Sequence, residues 1–266
     1  MSLNKYAEVA KIEFLNSLAY FYEFIAGAGF IAIILFVFYN MWSVVYKFSG
    51  TAIISGFSFA TLMWFLLMSG SVTFTDSGRP IGKKISEEIK SGEIAYSLNK
   101  PYNFIAYNYA YYIGPALTSI FITFALGFAL FAFLVGLPAV NPAIIPFVTL
   151  TVILSVTINF LIYFSIGLLS LWFEDNSAFL WMQQKFVFIL GGMLMPLEFF
   201  PKILQDIAIN LPFAYIAYAP AKLFVNFTSG LFIQTVFMQL LWIGIFAAIA
   251  VALFRFGSKK VSINGG

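Results

Sequence analysis

Residues 111–135 read YYIGPALTSIFITFALGFALFAFLV, and the reading of this stretch from Tyr111 to Val135 decides the fold. It carries no charged side chain, and as a helix rising 1.5 Å per residue it is longer than the roughly 30 Å of a hydrocarbon core. In lipid a helix is the one single-segment structure that pairs all its own backbone N–H and C=O groups. Five further runs of the same kind lie on either side: Phe24–Val45, Ile53–Phe74, Phe147–Trp172, Phe179–Phe200 and Phe232–Phe254. The expected fold class is an all-α integral membrane protein with six transmembrane helices. Only 9% of the 266 residues are charged, against roughly 25% in a soluble domain. A water-soluble fold is thereby excluded, and residues 1–266 read as a single transmembrane domain.

Ahead of the first run, Leu3, Tyr6, Ala10, Phe14, Leu18 and Phe21 recur every three or four positions, with Lys5, Glu8, Lys11 and Glu13 between them. That spacing predicts an interfacial amphipathic helix over 1–23. The segment lacks a short apolar core and a small-residue cleavage site, so no signal peptide is expected and it stays on the mature protein. With six spans, Lys5, Lys11, Arg79, Lys83, Lys84, Lys90, Lys100, Arg255, Lys259 and Lys260 fall on one side, and Lys47, Lys202 and Lys222 on the other. The excess of basic residues marks the cytoplasmic face, which places both termini and the connection Thr75–Tyr109 inside.

Two connections are more than turns. In the inner one, 75–109, an apolar stripe of Ile81, Ile85, Ile89, Ile94 and Leu98 stands against Lys83, Lys84, Glu87, Glu88, Lys90 and Glu93. It predicts one or two short helices broken near Gly92 and ended by Pro101. The outer one, Met195–Asn226, is apolar yet interrupted by Pro196, Pro201, Pro212 and Pro220. Irregular backbone at membrane depth has to be covered by protein or line a cavity, which predicts a re-entrant hairpin of broken helices. No internal repeat is visible, so the sequence offers no support for an inverted-repeat architecture.

The chain has no Cys and no His, which removes disulfides, the usual zinc and haem ligands, and nucleophiles or bases of those types. The net charge is +3, and the basic residues sit in connections rather than along a stripe, which argues against nucleic acid as a partner.

The stretch from Gly92 to Pro101, GEIAYSLNKP, and the later Gly191 to Pro201, GGMLMPLEFFP, resemble the permease subunits of the ABC-2 type family of ATP-binding-cassette transporters. Leu211-Pro212-Phe213-Ala214-Tyr215 and Pro220-Ala221-Lys222-Leu223-Phe224 extend the resemblance, which covers most of the chain. In one place it departs: Asn99-Lys100-Pro101 stands where the family has Leu-Arg-Pro, and a lysine lacks the planar fork of arginine. The resemblance implies a half-transporter in the cell membrane. Two permeases, identical copies or paralogues, each bind a separate ATPase subunit on the cytoplasmic side and together form an exporter. ATP and Mg are then expected on the partner, with no cofactor in this chain. The phosphate-binding loop needs Gly, four residues, Gly-Lys and then Ser or Thr. Around Gly82-Lys83 those outer positions are Ser77 and Lys84, so the motif is missing.

On this resemblance Ile81–Leu98 is a coupling helix, with Glu87, Glu88, Lys90, Gly92, Glu93, Tyr96, Lys100 and Pro101 assigned to the ATPase contact. The alternative is an interfacial helix resting on lipid. Phe57, Trp64 and Met68 on the second span and Met193 on the fifth are assigned to the substrate path, because the resemblance places those spans near a dimer axis. Lys185, within the fifth span, either snorkels to the interface or lines the inner mouth of that path. Glu174 and Asp175 read as a solvated turn rather than a proton site. Gly244, Ala248 and Ala252 form a small-residue line for packing within the chain or for a dimer seam. Asn226-Phe227-Thr228 has the pattern of a glycosylation acceptor. The function expected is export of an amphipathic, hydrophobic or lipid-like substrate, without covalent chemistry in this chain. An ion-coupled carrier and a non-transporting scaffold remain the rivals. An intramembrane enzyme would need convergent polar residues that are not evident.

Overall fold

The computed structural model describes residues 3–19, 21–74, 78–98 and 100–264. Thr75, the expected start of the inner connection, and Asn99 of the resembling motif lie outside these, as do Met1 and Gly266 at the ends. The described chain is nearly all helical. In order it forms α1 (Leu3–Ala19), α2 (Phe21–Ser49), a two-stranded hairpin of β1 (Ile53–Ile54) and β2 (Phe57–Ser58), α3 (Phe59–Phe74), α4 (Gly78–Lys90) and α5 (Ile94–Leu98). There follow α6 (Phe104–Val135), α7 (Ile145–Leu168), α8 (Ser177–Leu190), α9 (Lys202–Ala208), α10 (Pro212–Ile216), α11 (Tyr218–Val225) and α12 (Ser229–Asn264).

Among the described residues four helices are long and apolar enough to cross a membrane: Ala32–Ser49, Phe104–Val135, Pro142–Leu171 and Ser229–Ser258. The expected second and fifth spans are shorter than drawn. The second does not begin at Ile53, because Ile54 pairs with Phe57 across a tight turn whose Ser55 and Gly56 both have positive φ, 49° and 85°. That is the two-residue turn that fits the twist of a hairpin. The helix therefore starts at Phe59 and runs 16 residues, about 24 Å. The fifth run does not reach Phe200. It ends at Leu190 after 14 residues, about 21 Å, where Gly191 and Gly192 stop it. The third run starts earlier than Tyr111, at Phe104, because Asn103 caps it: its Oδ1 accepts the Ala106 N–H at 2.9 Å. The sixth extends beyond Phe232–Phe254 to Ser229–Asn264.

The core gathers on α7, which packs against α4, α6, α8, α10, α11 and α12. Of the membrane-crossing stretch that contains α7, 72% is buried, against 11% for those of α2 and α12, so α7 is the axis and those two helices form the rim. Helix α1 runs alongside the first half of α6 in the same direction. Tyr6 meets Asn103, the backbone of Ala10 and Phe14 closes on Gly114, and the Ser17 hydroxyl donates to Thr118 Oγ1 at 3.2 Å. It turns a small-residue face to α6 and leaves Ile12, Phe14 and Leu15 exposed. The segment Met195–Asn226 is built from a 3-10 turn, Leu197–Phe199, and the short helices α9, α10 and α11. Pro196, Pro201 and Pro212 stand at three of the starts, where the missing N–H is not needed.

Candidate functional site

Helices α4 and α5 meet at an elbow whose corner is Gly92, with φ 78°. That left-handed conformation is readily adopted only by glycine and ends a helix by turning its last N–H groups back. Ser91 N–H donates to Glu87 O at 2.9 Å and Gly92 N–H to Ile89 O at 3.2 Å, closing α4. The expected stripe is used inward: Ile81, Ile85 and Ile94 are 2% exposed or less and Ile89 is half-buried. The outer side presents Lys83, Glu87, Lys90, Gly92 and Glu93, followed by Tyr96, which is 80% exposed. Lys100 and Pro101 are exposed beside it. Glu88 is the exception among the residues assigned to this surface. It leans inward, 3.6 Å from Lys84 Nζ, with its Oε2 buried.

The elbow is tied to the bundle in three directions. A Cβ on Gly82 would stand 3.0 Å from Tyr163 O of α7 and 2.6 Å from the Leu180 side chain of α8, and one on Gly167 would stand 2.8 Å from Ile85. Glycine at both positions is what lets α4 and α7 approach so closely. Beyond that contact the Ser86 and Ser170 hydroxyls hydrogen-bond at 2.6 Å. Toward α6, Lys84 Nζ donates to Asn108 Oδ1 at 3.0 Å and lies 4.1 Å from the ring centroid of Tyr111. Burial pushes the Lys84 ammonium below the ordinary lysine value, with the Glu88 and Glu13 carboxylates opposing the shift. A movement imposed on the elbow thus reaches α6, α7 and α8 directly.

The five residues assigned to a substrate path are not gathered in one place. Phe57, Trp64 and Met193 are packed in the interior, each 2% exposed or less. Phe57 lies against Phe65 and Phe199, and Trp64 against Phe128. Met68 lines a cavity between α6 and α7. Lys185 is on an exposed face of α8, its Nζ 5.5 Å from the Trp181 ring centroid.

The far end of the bundle holds a cluster that the sequence reading missed. Glu198 Oε1 accepts from Tyr218 OH at 2.7 Å and from Lys222 Nζ at 2.6 Å, and that ammonium lies 4.5 Å from the Phe57 ring centroid. The available signal was two carboxylates and two lysines in one apolar stretch, Glu198, Lys202, Asp206 and Lys222, with nothing in the spacing to pair the first with the last. A polar knot is also buried among the long helices: Gln239 Nε2 donates to Thr151 O, Ser155 Oγ and Tyr215 O at 2.9, 3.0 and 3.0 Å. Asp175 accepts from the Ser177 N–H and hydroxyl, which holds its carboxyl below the usual carboxylate range and anchors the start of α8. Gly244, Ala248 and Ala252 are exposed on α12, with open space beyond Gly244. The expectation that this line packs within the chain is therefore corrected. Among the described residues no group of His, Cys, Asp or Glu is arranged to hold a metal ion.

Compared with known protein families, residues 24–265 match the model of a family described as ABC-2 family transporter protein. No curated protein matches the chain.

Proposed function

From a chain that belongs to the ABC-2 transporter family, we propose the permease subunit of an ATP-driven exporter, moved by a separate ATPase that grips the α4–α5 elbow. Membership makes the chain a multi-pass membrane permease of ABC transporters, a transport component rather than a catalyst, in a family that generally works with ABC ATPase partners. The observation that carries the rest is the contrast across the elbow. One side is fixed to α6, α7 and α8, and the other offers Glu87, Lys90, Glu93 and an 80% exposed Tyr96 to a partner.

In this reading α3 and α8 complete a set of six membrane passages, α3 together with its hairpin and α8 with the segment that follows it. The excess of basic residues on one side supports a cytoplasmic position for both termini and the elbow. The segment 195–226 then caps the outer end as a re-entrant hairpin. Two copies, or a copy and a paralogue, pair to form the path, and Phe57, Trp64, Met68, Lys185 and Met193 serve as its residues only in an arrangement where Phe57, Trp64 and Met193 leave the interior packing they have in the single chain. The exposed small-residue line on α12 supports such pairing, since small residues allow close helix approach in lipid. ATP and Mg belong to the partner. A rigid element with two packed arrangements, biased by nucleotide in the neighbour, is a physically sufficient coupling device.

The test is Gly92→Pro in the complex reconstituted with its ATPase. Proline cannot adopt φ 78° and has no N–H for Ile89 O. The expected result is ATP hydrolysis without transport; unimpaired transport contradicts the elbow's role. The rival ion-coupled carrier draws on the half-buried Glu198–Lys222 pair. Transport driven by an ion gradient with no ATPase present would favour it.

A further inference from the structure

Between α6 and α7, at the end of the bundle away from α4, lies a cavity of about 670 Å³. Met68 of α3 and Phe224 of α11 lie at its floor and Phe124 and Val152 on its walls, while Phe121 and Leu137 at the mouth are 72% and 75% exposed. Thr149 has the only polar side chain among the lining residues. No charged residue occurs between Lys100 and Glu174, the stretch that supplies both walls and the loop 136–141 beside the mouth.

Both wall helices are long and apolar enough to cross a membrane, so the mouth faces hydrocarbon rather than water. An empty apolar cavity forfeits dispersion contacts along its whole lining, and such cavities stay dry while accepting apolar guests. We infer that this crevice is a lipid-binding site that takes one acyl chain of a bilayer lipid and selects the tail rather than the head group. The mouth loop has no cation for a phosphate. A second copy of the chain fits the place poorly. Its rim carries bulky Phe121 and Leu137, whereas close approach of helices in lipid uses small residues, and the exposed line of that kind is on α12. A chain lodged here touches α3, α6, α7 and α11 at once. The inference requires membrane-crossing α6 and α7 and is independent of the exporter reading.

The experiment uses the whole chain reconstituted in phosphatidylcholine vesicles doped with a phosphatidylcholine that carries a diazirine on its acyl chain. After irradiation, adducts are mapped by mass spectrometry. The expected result is labelling of Phe121, Ile145 and Ile153 several-fold above that of Ile33 and Val37, which are exposed on α2. Thr149→Phe at the mouth and Met68→Phe at the floor each lower the crevice labelling and leave α2 unchanged. Replacing the probe with a phosphatidylglycerol of the same chains leaves the pattern as it was. Labelling no higher than on α2, or persistence in both filled variants, overturns the inference. A change with head group overturns tail selection. Crosslinking of Thr149→Cys to a second copy, in a chain with no other cysteine, assigns the crevice to a protein interface instead.

Discussion

Each end of the bundle holds a lysine against an aromatic ring, and the two are held differently. At the α4–α5 end, Lys84 lies 4.1 Å from the Tyr111 ring centroid, its nearest polar partner is the neutral Asn108 at 3.0 Å, and its carboxylate, Glu88, is 3.6 Å away. At the other end, Lys222 lies 4.5 Å from the Phe57 ring centroid but closes on Glu198 at 2.6 Å, with Tyr218 on the same oxygen. The first arrangement joins an exposed elbow to α6 by contacts that can be exchanged. The second ties a turn to α11 by a half-buried charge pair, which is costly to separate. The two differ as a handle differs from a seal, and that difference sets the expected order of mutational effects.

The largest effect is at the seal. Glu198→Ala leaves the Lys222 ammonium half-buried without its anion and is expected to destabilise the protein by about 3 kcal/mol. The double change Glu198→Leu with Lys222→Met recovers most of that, both read by thermal unfolding in detergent. An equal loss in the single and double variants would show that the pair is not the unit. Next is the α4–α7 contact. Gly82→Val drives a side chain into Tyr163 O and Leu180, and overpacking of this kind is expected to cost about 2 kcal/mol. Loss of packing between α4 and α7 would appear as faster hydrogen exchange in α4, while the α9–α11 segment stays protected.

The smallest effect is at the handle and is a pH dependence. The Lys84 pKa is lowered in the fold by burial, so in the window just below the ordinary lysine value of 10.5 the unfolded chain binds more protons than the folded one. Stability contributed by this group then rises with pH through that window. The slope should vanish in Lys84→Met. An unchanged slope in that variant would place the titration elsewhere.

How much of this the sequence discloses depends on the element. Helices α6, α7 and α12 are legible because long charge-free runs have one stable form in lipid, and the Ile81, Ile85 and Ile89 stripe is legible because it recurs on one side of α4. Where α3 begins is not, since Ile53 is as apolar as the helix that follows and only the Ser55–Gly56 turn diverts it. Nor is the end of α8, where Gly191 and Gly192 outweigh apolar residues on both sides. The direction of the elbow's stripe is likewise hidden: periodicity finds the face, and only packing shows that it turns toward α7. The Glu198–Lys222 pair joins residues far apart in sequence through three short helices, so no local pattern signals it. Trp64 and Met193 show the converse, since an apolar residue on an expected span reads the same whether the single chain exposes it or packs it inside.

The elbow as the cytoplasmic handle is tested most directly by Tyr96→Cys, because the chain has no cysteine of its own. A membrane-impermeant maleimide should leave intact cells unlabelled, should react in inside-out vesicles, and should be blocked there when the partner ATPase is bound. Labelling from outside intact cells, or a thiol equally reactive with and without the bound ATPase, would contradict it.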